Sequence, residues 1–266
     1  MSDMQSRHTL LESHDEAARV HADLRKSTHE EQPDAELFRP TQRPPVTILT
    51  VCDDGKRTGE VFRIRTNVFQ IGRTEGDLCL PHDEQISSRH VTITRQLDGQ
   101  QPQLVIEDLK SRNGVYFKIR KARLEHQAEL LIGAGKYRFE LPQGIASQAS
   151  RPDNSPVKTV PFESIGKVQA PALVELLSGG NTSTTLLLET EYWIGQSKRC
   201  RIRRDNDVFV SQEHALLRKG KSGRWSIRNN KSINGVWLRM PKVTLSPGQN
   251  CDFRIGEQLF HLKFGV

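Results

Sequence analysis

The sequence predicts an all-β chain built from two copies of one antiparallel sandwich. Three observations carry this. From Val46 onward, short runs rich in Val, Ile, Thr, Phe and Tyr alternate with turn signals, and a helical period is almost absent. An ordered set of short motifs recurs some 121–124 residues downstream. The length of 266 residues leaves room for two domains of about 100 residues each plus linkers.

Residues 1–45 read as a weakly structured N-terminal tail. Thr9 and Glu12 could form a capping box opening a short helix, but its apolar face is thin and Pro33, Pro40, Pro44 and Pro45 follow. Residues 46–142 form the first strand-rich block: VTILTVC, VFRIR, NVFQIG, LCL, HVTITR, QLVIEDL, GVYFKI, ELLIG and KYRFEL. Residues 143–170, rich in Pro, Ser, Gly and Gln, read as a flexible linker. Residues 171–266 supply the second block: ALVELL, STTLLLET, YWIG, CRIR, HALLRK, RWSIR, GVWLRM, CDFRIG and LFHLKF.

The blocks match in order. Ile71-Gly72 corresponds to Ile194-Gly195, an offset of 123; Ser87-x-x-His90 to Ser211-x-x-His214, an offset of 124. Asn113-Gly114 corresponds to Asn234-Gly235 and Gly135-x-x-x-Phe139 to Gly256-x-x-x-Phe260, both at 121. Four ordered matches drifting by three residues mark two copies of one fold.

Composition narrows the function classes. No apolar run approaches the roughly 18–20 residues of a spanning helix, and the N-terminus carries acids where a signal peptide needs an apolar core, so neither membrane insertion nor secretion is expected. Cys52, Cys79, Cys200 and Cys251 lie far apart without a C-x-x-C pair, which argues against a disulfide framework or zinc site and for a reducing cytoplasm. The formal net charge is +7, and residues 171–266 hold all of the excess, with 15 Lys and Arg against 8 Asp and Glu. A basic domain attracts anions, and charge alone does not choose between phosphorylated chains, nucleic acid and acidic protein surfaces.

The candidate chemistry sits at strand ends. Arg73 follows the strand ending in Gly72, Ser87 and Ser88 precede His90, and Arg112, Asn113 and Gly114 occupy a turn. If these turns meet at one end of a sandwich, they present guanidinium, hydroxyl and amide groups together. That set suits a phosphate dianion on a peptide: Arg supplies charge and directed N–H donors, Ser short donors, and Asn both a donor and an acceptor. IGR (71–73), SSRH (87–90) and SRNG (111–114) resemble the pattern of the forkhead-associated (FHA) domain, a phosphothreonine-binding β-sandwich. The resemblance covers about 46–142 and again about 171–266, together about three quarters of the chain. It implies that Arg73, Ser87, Ser88, Arg112 and Asn113 bind phosphopeptide, that Gly72 and Gly114 permit close or turned backbone, and that His90 braces the loops.

The second copy departs from this pattern. Gln196 stands where the arginine belongs, while Ser211, Gln212, His214 and Asn234 hold the remaining counterpart positions, with Ile233 before the Asn. A neutral amide cannot replace a guanidinium's charge. Lys198, Arg199, Arg201, Arg203 and Arg204 follow closely, as a solvated basic strand edge, a rewired phosphate site or a docking surface.

Other chemistries fit poorly. There is no G-x-S-x-G, and a Ser-x-x-His in both copies would demand two active sites, so no enzyme is expected. His82, Asp83 and Glu84 are consecutive loop residues that rarely converge on one ion, Asp205-x-Asp207 lacks the rest of a calcium loop, and Gly133-Ala-Gly-Lys136 is not a P-loop; no metal or cofactor is expected. Trp193, Trp225 and Trp237 have aliphatic neighbours and read as core or strand-face residues. The chain therefore reads as a phosphothreonine-dependent adaptor in Ser/Thr kinase signalling, its first domain the reader and its second degenerate or rewired. Its partners would be phosphothreonine proteins, among them a Ser/Thr kinase or its substrates, with nucleic acid disfavoured. The alternative is a phosphorylation-independent scaffold whose basic second domain docks on an acidic surface or nucleic acid. Thr41 and Thr159, in the flanking segments, are sites where self-recognition could arise after phosphorylation.

Overall fold

The computed structural model describes residues 46–53, 58–99, 101–142 and 170–265. The N-terminal tail, nearly all of the 143–170 linker, and with them Thr41 and Thr159, lie outside the described residues.

Among the described residues, twenty strands and a single 3-10 turn at Ser178–Gly180 make up the regular structure. In the first repeat these are β1 (Thr47–Cys52), β2 (Gly59–Ile64), β3 (Val68–Gly72), β4 (Leu78–Cys79), β5 (Val91–Asp98), β6 (Gln101–Asp108), β7 (Tyr116–Ile119), β8 (Lys121–Arg123), β9 (Ala128–Ile132) and β10 (Gly135–Glu140). The second repeat contributes β11 (Ala172–Leu176), β12 (Thr182–Leu186), β13 (Glu191–Gly195), β14 (Ile202–Arg203), β15 (Ala215–Lys219), β16 (Trp225–Asn229), β17 (Val236–Arg239), β18 (Lys242–Leu245), β19 (Asn250–Ile255) and β20 (Gln258–Phe264). Inward residues alternate as a half-buried strand requires: in β10, Gly135, Tyr137 and Phe139 are buried while Lys136, Arg138 and Glu140 are partly exposed.

Expectation and structure part over which strands build which sandwich. The sequence reading closes each sandwich within its own block, at 46–142 and 171–266. In the structure the repeats exchange their last three strands. β18 pairs with β6, and β20 pairs with β1, so the second repeat completes the first sandwich. Reciprocally, β8 pairs with β16 and β10 pairs with β11. The cores agree. Phe253, Phe260, Leu262 and Phe264 are buried with Leu49, Ile71, Ile93 and Ile106, while Leu130, Ile132 and Phe139 are buried with Ile194, Leu217 and Trp225. Aromatic pairs span the repeats too: Phe117 and Phe253 have ring centroids 5.9 Å apart, Phe139 and Trp225 6.2 Å.

The physical cause lies in two missing turns. A tight hairpin from β7 to β8, or from β17 to β18, needs residues that accept a positive φ, such as Asn-Gly. Only Arg120 separates β7 from β8, and only Met240-Pro241 separates β17 from β18; none of these three has a positive φ. The chain therefore runs onward into the other sandwich instead of folding back. Where the two halves meet, β7 and β17 form an antiparallel ladder with Phe117 opposite Leu238. The 121-residue offset makes those two residues equivalent, so the ladder sits on a pseudo-two-fold axis between the repeats. This joins one sheet of each sandwich into a ten-stranded sheet.

Candidate functional site

At one end of the first sandwich, three loops are tied together by the residues singled out from the sequence. The Arg73 backbone N–H donates to the Ser87 carbonyl at 2.9 Å. Ser87 Oγ accepts from the Arg112 N–H at 3.0 Å, and Asn113 Nδ2 donates to the Gln85 carbonyl at 2.8 Å. The β3–β4 loop, the loop preceding β5 and the β6–β7 turn therefore form one rim bearing Arg73, Ser87, Arg112 and Asn113. Gly72 makes the first tie possible: a Cβ there would collide with the Ser88 carbonyl oxygen.

His90 lies beneath the rim, fully buried. Its Nδ1 accepts from the Ser87 N–H at 3.1 Å, so the proton sits on Nε2, which donates to the Gly114 carbonyl at 3.1 Å. Burial pushes its pKa below the ordinary value, against the opposing pull of that carbonyl and of Asp108. Both ring nitrogens are committed to backbone, so the imidazole cannot act as a base toward Ser87. Gly114 holds φ +81°, and the Arg239 side chain, from the other repeat, occupies the space a Cβ would need.

The donors differ in how far they are already used. The Arg73 Nε–H is shielded from solvent and has no acceptor among the described residues. Ser87 Oγ acts only as an acceptor in its bond to Arg112, which leaves its own proton free. Ser88 is engaged elsewhere: its hydroxyl donates to Glu75 Oε1 at 2.8 Å and contacts Thr74 Oγ1. An unspent guanidinium N–H and an unspent hydroxyl, on two loops tied to each other through backbone, are donors of the kind an anion can satisfy. Sequence reasoning missed Glu75 and Arg239; Glu75, two residues past Arg73, could have been noted as an acid on the same loop.

The second sandwich repeats the frame but not the open guanidinium. Ser211 N–H donates to His214 Nδ1 at 3.0 Å, His214 Nε2 donates to the Gly235 carbonyl at 2.9 Å, and Asn234 Nδ2 donates to the Phe209 carbonyl at 2.9 Å. Gln196, however, spends its amide internally. Its Nε2 donates to the Asp207 carbonyl at 2.9 Å, and its oxygen accepts from Gln212 Nε2 at 3.0 Å. Three of the nearby arginines are also engaged. Arg201 pairs with Glu189, Arg203 with Asp205, and Arg204 turns inward to Glu175 and Asp207.

The carboxylates considered as metal ligands have structural partners. Asp83 accepts from the Gln85 and Glu257 N–H groups, and Asp207 from those of Phe209 and Ala134. Among the described residues, no cluster of three or more metal-ligating side chains occurs, and no helix is long and apolar enough to cross a membrane.

The family model described as "FHA domain" matches residues 69–133 and 192–256. The E3 ubiquitin-protein ligase RNF8 of rat is 37% identical over 59 residues, and that of mouse equally so; these cover 22% of this chain and 11% of each relative. Human RNF8 is 39% identical over 36 residues, 14% of this chain and 7% of that protein. The chain thus spans about a tenth of the length of the curated relatives it matches. A crystal structure of Mycobacterium tuberculosis Rv1747 FHA-1 matches with 25% identity and a TM-score of 0.21, over 36% of this chain and 99% of that one. FHA domains are binding modules for phosphothreonine-containing proteins, not catalysts. The two matched segments carry the two rims described above: the chain is a tandem FHA-domain protein.

Proposed function

We propose that the chain is an adaptor in Ser/Thr kinase signalling whose first domain reads phosphothreonine and whose second does not. The supporting observation is the contrast between equivalent positions. Arg73 keeps an unsatisfied Nε–H and Ser87 an unused hydroxyl proton, whereas Gln196 has its amide tied to Asp207 and Gln212. Arg73, Ser87 and the Arg112 loop hold the phosphate, with Ser88 at its edge. Asn113 grips the ligand backbone next to the phosphothreonine, while Gly72, His90 and Gly114 maintain the loops. A phosphate ester carries about −1.5 to −2 charges at pH 7, so the guanidinium dominates.

The partners are phosphothreonine-bearing proteins, a Ser/Thr kinase or its substrates among them, and the cytoplasm is the compartment proposed. No disulfide links Cys52, Cys79, Cys200 or Cys251, which suits a reducing compartment. Binding, not turnover, is the output, since His90 has no nitrogen to spare for a Ser87 nucleophile.

The test is titration of the full chain with an oriented phosphothreonine peptide library and its dephosphorylated counterpart. Binding should require phosphate and weaken at least tenfold (~1.4 kcal/mol) in a folded Arg73→Ala chain. Equal affinity for dephosphorylated peptide, or no effect of Arg73→Ala, sinks the proposal.

A further inference from the structure

The outer faces of the two five-stranded sheets differ in charge where the repeats otherwise match. Each sheet has at one edge a short strand donated by the other repeat, β18 beside β6 and β8 beside β16. In the first sandwich Lys242 stands opposite Glu107, and its Nζ lies 3.7 Å from that carboxylate. The 121-residue offset puts Lys121 and Arg228 at the same two positions of the second sandwich, where they too stand opposite one another. A cross-strand ion pair is thus replaced by a like-charged pair. The Asn229 N–H donates to the Arg120 carbonyl and the Leu124 N–H to the Trp225 carbonyl. Lys121 and Arg228 therefore form a non-hydrogen-bonded pair, with Cα atoms about 4.5 Å apart. Like charges placed directly opposite destabilise a sheet.

Arg123, two residues past Lys121, adds a third cation to this face, where the first sandwich has Thr244. Lys121, Arg123 and Arg228 are exposed, and none forms an ion pair among the described residues. The acid on the same face is already matched, since Glu191 lies 3.7 Å from Arg218. Glu125 and Glu213, in loops next to these strands, pair with none of the three. Protection of a sheet edge accounts for charge on β8. It does not account for Arg228, which lies on β16 inside the sheet. A face kept cationic against the stability of its own sheet complements an anionic partner.

The backbone narrows the choice of anion. The ladder to β16 uses the alternate residues Arg120, Ala122 and Leu124, so the N–H and C=O groups of Lys121 and Arg123 face the open edge. They have no backbone partner among the described residues. The two side chains stand roughly 7 Å apart, the interval at which any extended chain repeats the side chains of one face. Nucleic acid would gain less, because Trp193 is half-buried beside Leu216 and offers no open stacking platform. We propose that the free edge of β8 docks an extended acidic segment of a partner protein. The segment pairs with β8 as an added strand and sets alternate carboxylates beside Lys121 and Arg123, with Arg228 behind them. β8 comes from the first repeat and Arg228 from the second, so the site exists only in the exchanged fold. It lies apart from the phosphothreonine rim and does not rest on that reading.

The test uses the full chain and three unphosphorylated, fluorescein-labelled peptides of about twelve residues. One alternates Glu with Thr; a second gathers the same Glu residues into one block; a third replaces Glu by Lys. A single-stranded oligodeoxynucleotide and vesicles of phosphatidylcholine with phosphatidylserine complete the probes. The alternating acidic peptide should bind, the blocked one at least threefold more weakly, and the Lys peptide not at all. Arg228→Glu, which copies the charge of Glu107, should weaken the alternating peptide at least tenfold. It should also raise the melting temperature, since it restores a cross-strand ion pair. Arg123→Thr should weaken the peptide at least threefold. Equal binding of the blocked or Lys peptide, or no binding of any peptide, overturns the proposal. So does preference for the oligonucleotide or the vesicles, indifference to Arg228→Glu, or a lower melting temperature in that variant. Failure of the unmutated chain to bind phosphothreonine peptide would instead strike only the first-domain reading, so the two failures are separable.

Discussion

Asp83, in the first repeat, accepts a hydrogen bond at 2.8 Å from the backbone N–H of Glu257, in the second. The relation is returned: Asp207, its counterpart in the second repeat, accepts from Ala134 in the first at 2.9 Å. Both aspartates are buried. Each therefore fastens a hairpin tip donated by the other repeat to the loop that leads into Ser87 or Ser211. The exchange of strands thus reaches the binding loops as well as the cores.

The exchange makes a direct prediction about the connecting segment. In two self-contained sandwiches, the 143–170 segment would be the only covalent tie between independent bodies. Here it joins β10 to β11, neighbours in one sheet, and the two halves interlock through β8–β10 and β18–β20. A chain with a protease site placed within 143–169 should therefore co-elute as one species on gel filtration after cleavage, and separate only in denaturant. Two separate peaks under native conditions would mean that each repeat closes on itself.

Acidification should destabilise the protein through its two bracing histidines. Burial lowers the pKa of both His90 and His214 below the ordinary 6.5, and at each the Nδ1 atom that would take the second proton already faces an N–H donor. The unfolded chain then binds protons that the native chain refuses. Stability is full above about pH 6.5 and falls as pH drops below it, toward the depressed native values. Chemical denaturation at pH 7.5 and 5.5 measures this, a window above the carboxylate range. The double variant His90→Gln/His214→Gln should start less stable and lose less on acidification. A wild-type chain equally stable at both pH values contradicts the account.

Glu75 should oppose the ligand. Its carboxylate holds the Ser88 hydroxyl at 2.8 Å and stands two residues from Arg73, where a bound dianion would feel it. Glu75→Ala frees that hydroxyl and removes the repulsion. Because Glu75 is well exposed, the gain is modest, about two- to fivefold in phosphothreonine peptide affinity at low salt, and smaller at higher salt. Fluorescence anisotropy at two ionic strengths measures it, and weaker binding by Glu75→Ala at low salt would falsify the assignment.

Much of this was legible in the sequence, and the illegible part has a physical reason. The alternation in KYRFEL and CDFRIG, and the turn residues between such runs, mark the strands they became. The ordered motifs at 71–73, 87–90 and 111–114 mark the loops that meet at one rim. The partner of each strand was hidden because the two copies are equivalent. β8–β10 and β18–β20 carry the same pattern, so either set satisfies either core, and hydrophobic periodicity cannot say which. β8 and β18, the two strands entered directly from the crossings, also escaped the pattern; one is three residues long and the other four. The absence of turn chemistry around Arg120 and Met240-Pro241 was the available sign. The mutual bonding of Gln196 and Gln212 had no sign in spacing at all, being a property of two side chains from different loops.

That same pair sets the last prediction, which concerns how much must change before the second domain can bind phosphate. Restoring the missing charge alone with Gln196→Arg leaves Gln212 over the position held by Ser88 in the first copy, and Ile233 where Arg112 stands. A guanidinium placed there keeps the Ser211 hydroxyl but meets an amide side chain where the second hydroxyl stood and an apolar side chain where the second cation stood. In a chain whose first site is silenced by Arg73→Ala, Gln196→Arg should therefore bind phosphothreonine peptide no better than the silenced parent. Adding Gln212→Ser and Ile233→Arg supplies a small donor and a positive rim, each charge-assisted contact contributing about 1.5–3 kcal/mol. The triple variant should gain at least tenfold over the single one in a peptide titration. Tight binding by Gln196→Arg alone would show that charge was the whole deficit, and that the second rim was otherwise still built for phosphate.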